Sequence, residues 1–318
     1  MRIVAAEWLP YRLPLRRPWA SAAGGLDERR GRLLRLATDD GRSGWGDCAP
    51  FPEIGIDPEA AAAHAEECAL LDLAAQAAGL PLAAWLTGGQ AVPDIAVNAA
   101  LGSLQALARD AVDAACAAGF RVLKIKVGLG DPAAELARLR EIAAALPPGV
   151  TLRLDANRAW PEETAAAFLG ACTALPVEGV EEPLAWPDLA ALRRLQAAVP
   201  FPLALDESIS LAGDDFFARP PVRRLILKPA RHGGPLAALD LALAARSAGI
   251  ECIVTSSLES ACGLAAAAHL AAAVAPRAVH GLATAHWFAA DTGPAPAIAN
   301  GRLILPDAPG IGFSCRIS

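Results

Sequence analysis

The stretch Val122–Asp155, VLKIKVGLGDPAAELARLREIAAALPPGVTLRLD, spells out one strand–helix–strand unit. Its ends, Val122–Val127 and Thr151–Leu154, are short β-type runs, and residues 131–145 between them form an Ala/Leu/Arg helical stretch. The unit recurs along the chain. Further β-type runs fall at Ile95–Ala99, Val177–Val180, Leu203–Leu205, Leu225–Leu227 and Cys252–Val254, with a weaker one at Val279–Leu282. Helical stretches lie near 103–118, 161–174, 187–198, 235–248 and 259–273. Strands alternating with helices of this length imply a parallel sheet, hence an α/β fold. About eight strands over roughly 200 residues fit a (β/α) barrel. An open doubly wound sheet is the structural alternative, but no G-x-G-x-x-G follows a strand, which weakens a dinucleotide-binding version of it.

Before this repeat the pattern differs. Ile3–Leu9 and Leu33–Ala37 read as strands, separated by a polar, Gly-rich segment, Pro18–Gly31, expected to be a loop. Gly44–Pro50 reads as turn-rich. Asp57-Pro58-Glu59 starts a helix, with Asp as N-cap and Pro at its first position, running to about Ala78. A short helix follows Pro81 and ends at Gly88-Gly89, and a boundary falls near Gly89–Pro93. Gly301–Ile317 reads as strands returning to the first domain.

Composition narrows the function. Hydrophobic residues make up 54% and charged residues 19%, which excludes a disordered chain. The net charge is −6 with no basic block, so no nucleic-acid or polybasic membrane partner is expected. The seven Cys are scattered and form no Cys-x-x-Cys pair, as in a reducing compartment. The N-terminus shows no signal-peptide h-region, and the Ala-rich stretch 261–275 is too short to span a bilayer. A cytoplasmic location is the expectation. Only three of the 28 basic residues are Lys: Lys124, Lys126 and Lys228. Arg stays protonated, whereas Lys can shift its pKa and act as an acid or base, so a bias toward Arg leaves these three as candidates for chemistry.

Five strand runs end in charge: at Lys126, Asp155, Glu181-Glu182, Asp206-Glu207 and Lys228. The steps are 29, 26, 25 and 22 residues, each about one strand–helix unit. In a barrel such ends converge on one mouth, where catalytic groups sit. A lone Asp after a strand is as readily a helix N-cap, but the whole series in unit steps is not explained that way. Three carboxylates from neighbouring strands need a cation between them, and their oxygens suit Mg²⁺, with Mn²⁺ the second candidate. Lys124 and the metal would lower the pKa of Lys126 and let it serve as a general base.

The series Lys124-x-Lys126, Asp155-Ala-Asn157, Glu181-Glu-Pro183, Asp206-Glu-Ser208 and Lys228-Pro229 resembles the muconate-lactonizing-enzyme subgroup of the enolase superfamily. Gly44-Trp-Gly-Asp47 and Gly79–Gly89 are similar to that subgroup's capping domain, so the resemblance covers nearly the whole chain. It implies an α+β capping domain, residues 1–90 completed by 300–318, and a modified (β/α)7β barrel, residues 91–299. It also implies metal ligands Asp155, Glu181 and Asp206, with Glu181 chosen over Glu182 because related members have Gln at the second position. Lys126 and Lys228 would face the substrate from opposite sides, with Lys124 the third catalytic lysine.

Members resembling mandelate racemase use a His at the end of strand seven. Here that run ends Thr255-Ser256-Ser257, which favours a two-lysine site. His64 and His269 lie on Ala-rich helices and read as packing or surface residues, while His232, His280 and His286 stay ambiguous. Arg153–Trp160 and Thr255–Ser260 are most similar to the o-succinylbenzoate synthases. Strand alternation turns Arg153 to the same face as Asp155, where it needs an anion: a substrate carboxylate or a core Asp or Glu. Thr255, Ser256 and Ser257 either bind a second carboxylate or cap the next helix, and Asn157 completes the substrate-binding set.

The reaction expected from this resemblance is dehydration of a succinyl-hydroxy-cyclohexadiene carboxylate to o-succinylbenzoate, a step of menaquinone synthesis, through an enediolate. Its partner is a small-molecule carboxylate substrate, and an oligomer is compatible with the sequence. The alternatives are an N-succinylamino acid racemase or dipeptide epimerase on the same two lysines, muconate cycloisomerase, and a non-catalytic barrel that binds a carboxylate. The Pro18–Gly31 loop is expected to close over the site and select the substrate.

Overall fold

Strand β1 (Ile3–Ser21) turns back into β2 (Gly24–Thr38), and β3 (Ser43–Cys48) completes an antiparallel sheet in the order β1-β2-β3. The computed structural model describes residues 1–21 and 24–317. The hairpin corrects the sequence reading of 18–31 as a loop. Both strands continue through that segment, with Leu13 opposite Arg29 and Trp19 opposite Leu26. Ala22 and Ala23, at the middle of the expected loop, lie outside the described residues. Composition misleads here because β1 is an edge strand, where Pro is tolerated.

Gly44–Pro50, expected as turns, holds most of β3. The glycines belong to packing: a Cβ on Gly44 or Gly46 would strike the carbonyl oxygen of Ala69 or Ala65. Those carbonyls belong to α1 (Pro58–Ala78), which therefore lies directly on the strand. The start of α1 matches the sequence reading, since Asp57 Oδ1 accepts from the Ala60 N–H at 2.8 Å and Pro58 opens the helix. A short α2 (Leu82–Leu86) follows.

The repeat then runs β4 (Asp94–Val97), β5 (Ala99–Ser103), α3 (Arg109–Ala117), β6 (Val122–Lys126), α4 (Pro132–Ala144), β7 (Thr151–Asp155), α5 (Glu162–Cys172), β8 (Val177–Glu181) and α6 (Leu189–Ala198). It continues β9 (Leu203–Leu205), α7 (Asp214–Ala218), β10 (Arg224–Leu227), α8 (Pro235–Ser247), β11 (Glu251–Val254), α9 (Ala261–Val274) and β12 (Val279–His280). Ile95–Ala99, read as one run, divides into β4 and β5 at the buried Asn98. Strands β5 to β11 are hydrogen-bonded in sequence order. A Thr255–Gly281 bridge carries the sheet on to β12, which pairs with β4. Seven strand–helix units followed by an eighth strand make the modified (β/α)7β barrel, of α/β class, that the sequence implied.

Alternation along each strand separates two environments. Leu123, Ile125, Leu152 and Leu154 point outward into the main core with Leu139, Phe168 and Leu192 of the helices. Inside the barrel, Ala204, Ile226, Ile253 and Ala278 form a small apolar cluster. Parallel register sets the charged ends side by side, Lys126 opposite Asp155 and Asp155 opposite Glu181.

The C-terminal segment departs from the sequence reading. Of β13 (Ile298–Ala299) and β14 (Arg302–Ile304), the latter pairs with β4 rather than with the β1–β3 sheet. Residues 310–317 do return to the first elements, but without a strand. The Ile311 N–H donates to Asp72 Oδ1 at 2.8 Å, and the Phe313 ring stands edge-on to Trp45 with centroids 5.6 Å apart. Among the described residues no helix is long and apolar enough to cross a membrane.

Candidate active site

A cavity of about 450 Å³ opens at the C-terminal end of the barrel strands. Lys124, Lys126, Asp155, Asn157, Asp206, Lys228 and Thr255–Ser257 line it, so the structure brings nearly the whole sequence-derived set together. Glu181 and Arg153 do not line it. In an eight-stranded barrel β6 and β10 stand four strands apart, which places Lys126 and Lys228 on opposite sides of the mouth.

The charged groups are cross-paired. Lys124 Nζ lies 3.0 Å from Asp155 Oδ2 and also bonds Glu181 Oε2. Lys228 Nζ donates to Asp206 Oδ2 at 2.5 Å, and Arg231 Nη2 bonds the same carboxylate and the Asp206 carbonyl. The Asn157 N–H donates to Asp155 Oδ1 at 3.1 Å and its Nδ2 to Glu207 Oε1 at 3.1 Å. Burial opposes charge on Lys124, but Asp155, Glu181 and Asp206 outweigh it and raise its pKa. Burial likewise opposes charge on Asp206, but Lys228, Arg231 and Lys124 hold its pKa well below the usual carboxylate range. Lys126 behaves differently. Burial is the main cause that lowers its pKa; Asp155 works against this, and Lys124 adds to it. The direction is the one the sequence suggested, with desolvation the larger cause. The Lys126 ammonium also lies over the Trp19 ring, 5.7 Å from its centroid.

The fit of a divalent cation rests on Glu181. Its carboxylate is fully buried, and Oε1 has no hydrogen-bond partner. A buried carboxylate oxygen left in that state is costly unless something cationic meets it. With Asp155 and Asp206, at the ends of three successive strands, it would offer an all-oxygen donor set suited to a hard ion. Lys124 stands between Asp155 and Glu181, and Asp206 is bonded to Lys228 and Arg231. Accordingly, no group of three metal-binding side chains among the described residues is drawn together around one point. Glu182 is committed elsewhere. It accepts from the N–H of Asp206 at 2.6 Å and of Ser208 at 2.8 Å, and from the Ser208 hydroxyl at 2.7 Å, and so holds the turn after β9.

Arg153 is corrected. It is 1% exposed, but Nε bonds Glu178 and Nη1 donates to Asn98 Oδ1 at 3.2 Å. Arg224 bridges Glu178 at 2.7 Å and Glu251 at 2.6 Å, so these four residues form an ion network on the barrel floor. The anion facing Arg153 is a protein carboxylate and not substrate.

The Thr255–Ser257 wall is neutral. Thr255 Oγ1 and Ser257 Oγ are buried without a hydrogen-bond partner. Ser256 is corrected as well: its hydroxyl donates to Glu259 Oε2 at 2.6 Å and accepts from the Leu258 N–H and from Thr284, leaving nothing for a ligand. All five His lie outside the cavity lining. His64, His269 and His280 are buried, and burial lowers each pKa to about 4.

Several lining residues escaped the sequence reading. Trp19 lies in the segment taken as a loop, and Phe51, Glu53 and Ile54 lie in the Pro-rich turn after β3. Glu207 and Leu258 also line the cavity. The sequence signal for Arg231 is a cation three residues beyond Lys228.

The family model for enolase C-terminal domain-like proteins matches residues 106–316. The L-Ala-D/L-Glu epimerase of Bacillus subtilis (strain 168) is 30% identical over 313 residues, covering 86% of this chain and 85% of that one. The o-succinylbenzoate synthase of Edwardsiella ictaluri is 32% identical over 289 residues, covering 86% and 88%. Among solved structures, the dipeptide epimerase of Cytophaga hutchinsonii complexed with Mg and D-Ala-L-Val superposes with a TM-score of 0.88 at 27% identity, over 99% of this chain and 96% of that one. The fold, the matched segment and these relatives agree: this chain belongs to the enolase superfamily.

Proposed function

We propose that the chain is a Mg²⁺-dependent lyase that dehydrates a succinyl-hydroxy-cyclohexadiene carboxylate to o-succinylbenzoate. The observation that carries this reading is the neutral wall at the ends of β11 and β12. Thr255 and Ser257 line the cavity, and their hydroxyls, Thr255 Oγ1 and Ser257 Oγ, are buried there without a hydrogen-bond partner. Two free O–H donors suit a second carboxylate, such as the end of a succinyl arm. The α-ammonium of a dipeptide needs an anionic partner, and none of the described residues lining that wall is a carboxylate.

Asp155, Glu181 and Asp206 would hold the Mg²⁺, which supplies Lewis-acid stabilisation of the enediolate charge that develops on the substrate carboxylate. Lys126, its pKa lowered by burial, takes the α-proton. The same lysine returns that proton to the departing hydroxyl, which leaves as water and gives the aromatic ring. The Lys228 ammonium, ion-paired to Asp206, faces the enediolate from the opposite side. Asn157 lines the floor beside Asp155, and Trp19 and Phe51 wall the cavity from the β1–β3 side.

A second reading, N-succinylamino acid racemase, draws on the opposed lysines: Lys126 and Lys228 would exchange protons on two faces of one carbon. It shares the succinyl arm and hence the hydroxyl wall. The test is to incubate the protein with Mg²⁺ and the cyclohexadiene substrate and follow loss of the diene absorbance. Turnover is expected, and chelation with EDTA should abolish it. Racemisation of N-succinyl amino acids with no diene turnover would replace the lyase reading. Epimerisation of dipeptides in preference to both would overturn the carboxylate reading of the wall.

A further inference from the structure

We propose that Arg29 and Asp47 are positioning residues, two buried pins from the β1–β3 sheet that fix the Thr255–Ser260 segment and so aim its hydroxyls at a distal carboxylate. The inference rests on the succinyl reading above. Arg29, on β2, is 3% exposed. Its Nε donates to the Leu258 carbonyl at 3.1 Å, Nη1 to the Pro50 carbonyl at 2.8 Å and Nη2 to the Ala49 carbonyl at 3.0 Å. Its guanidinium also lies over the Phe51 ring, 4.5 Å from the centroid. Phe51 and Leu258 both line the cavity, one from the turn after β3 and one from the segment after β11. A single rigid fork therefore ties the two walls together, a geometry that Lys does not reproduce.

Leu258 needs that support. Its φ is +59°, a left-handed conformation that costs a branched residue energy and persists only where the surroundings over-determine it. Arg29 holds its carbonyl, and the Ser256 hydroxyl accepts from its N–H at 2.9 Å. Two residues on, Ser260 stands at the N-cap of α9 without capping the helix through its own side chain. Asp47 of β3 instead holds Ser260 itself. Its Oδ2 accepts from the Ser260 N–H and hydroxyl, both at 2.8 Å, and the Tyr11 hydroxyl donates to Oδ1 at 2.7 Å. The segment bearing the two unpartnered hydroxyls is thus fastened to the sheet at Leu258 and again at Ser260.

The experiment compares kcat/KM for the cyclohexadiene substrate with that for its analogue whose distal carboxylate is a primary amide. The ratio of the two cancels the active fraction of each preparation. The wild-type protein should favour the acid by about tenfold or more, the scale of a charge-assisted hydrogen bond. In Arg29→Met and Asp47→Ala the ratio should fall about fivefold or more, with KM for the acid rising by more than kcat falls. Arg29→Lys should recover part of it, and it also carries the measurement if Arg29→Met does not fold. Variants that lose thermal stability but keep the wild-type ratio would reduce both pins to structural residues and overturn the proposal. A wild-type protein that does not discriminate acid from amide would instead remove the distal-carboxylate reading on which the proposal rests.

Discussion

The barrel mouth has two sides built on opposite rules. From β6 to β10 it is ionic: Lys124, Asp155, Glu181, Asp206, Lys228 and Arg231 lean on one another in a buried cluster. At β11 and β12 it carries no charge in the lining, and the hydroxyls of two lining residues are buried with nothing to bond. Buried charges survive only when paired, so the ionic side is constrained by the fold's own electrostatics as well as by chemistry. The neutral side has no such debt to the fold, and in the proposed reading its unmet donors serve the substrate. Reaction and recognition are therefore assigned to different strands, and each assignment can be broken separately.

The largest effect is expected on the ionic side. Lys126→Arg keeps the charge but removes a group that can give up its proton. The diene turnover should fall by about 10³-fold or more, with thermal unfolding little changed. Retained turnover would take Lys126 out of proton transfer. Arg153→Met tests where that side ends. Arg153 belongs to the floor network, so its loss leaves Glu178 with Arg224 as its named ion pair and should cost about 3 kcal/mol of stability by denaturant unfolding. Turnover per folded molecule should stay within a few-fold of wild type. The reverse outcome, intact stability with lost turnover, would make Arg153 a substrate ligand and erase the line between floor and mouth.

The ionic side was legible in the sequence because strand ends recur at one-unit spacing and each carries charge. The partner of Arg153 was not. Pairing between β7 and β8 jumps from Leu152–Val177 to Arg153–Gly179, a register shift that leaves Glu178 without a residue opposite. Such an irregularity re-aims a side chain, and simple alternation cannot foresee it. Gly179 adds to it, since a Cβ there would collide with Arg224 Nη1. The hairpin was misread for another reason. Pro is tolerated on β1 because it is an edge strand, and the polar, Gly-rich joining region resembles a loop in composition. Arg29, Asp47 and Trp19 were hidden with it, since contacts between distant elements leave no local pattern. For Thr255 and Ser257 the sequence offered two roles, and only the absence of hydrogen-bond partners in the structure distinguishes them from Ser256.

His280 lies on β12, buried behind the neutral side, and tests how tightly that region is closed. Its Nδ1 accepts from the Val254 N–H at 3.1 Å and its Nε2 lies 2.9 Å from the Ala275 carbonyl, an arrangement for the neutral ring. Burial lowers its pKa from 6.5 to about 4, and Arg153 adds to the shift. Below pH 6.5 the unfolded chain takes up a proton that the folded chain refuses until about pH 4. Protonation there favours unfolding, so this residue's contribution to stability falls as pH drops through that window. The slope is about 1.4 kcal/mol per pH unit. Denaturant unfolding across pH 4–7 should show a flatter profile for His280→Gln than for the wild type by about that slope, with the two profiles parallel above pH 7. Parallel profiles throughout would mean that the interior behind the neutral side admits a charged imidazole.

The smallest expected effect gives the sharpest division between the two sides. Thr255→Val and Ser257→Ala remove hydroxyls that bond nothing in the folded protein, so no internal hydrogen bond is lost and stability should hold within about 0.5 kcal/mol or rise. Each should still lower kcat/KM for the succinyl substrate by about tenfold, mainly through KM, because a donor to the distal carboxylate is gone. Ser256→Ala is the internal control. Its hydroxyl serves Glu259, Leu258 and Thr284, so its removal should cost about 1–2 kcal/mol of stability. Three adjacent residues would then separate recognition from structure. If Thr255→Val and Ser257→Ala instead destabilise the protein and leave KM unchanged, the hydroxyls belong to the fold, and the neutral side has no claim on the substrate.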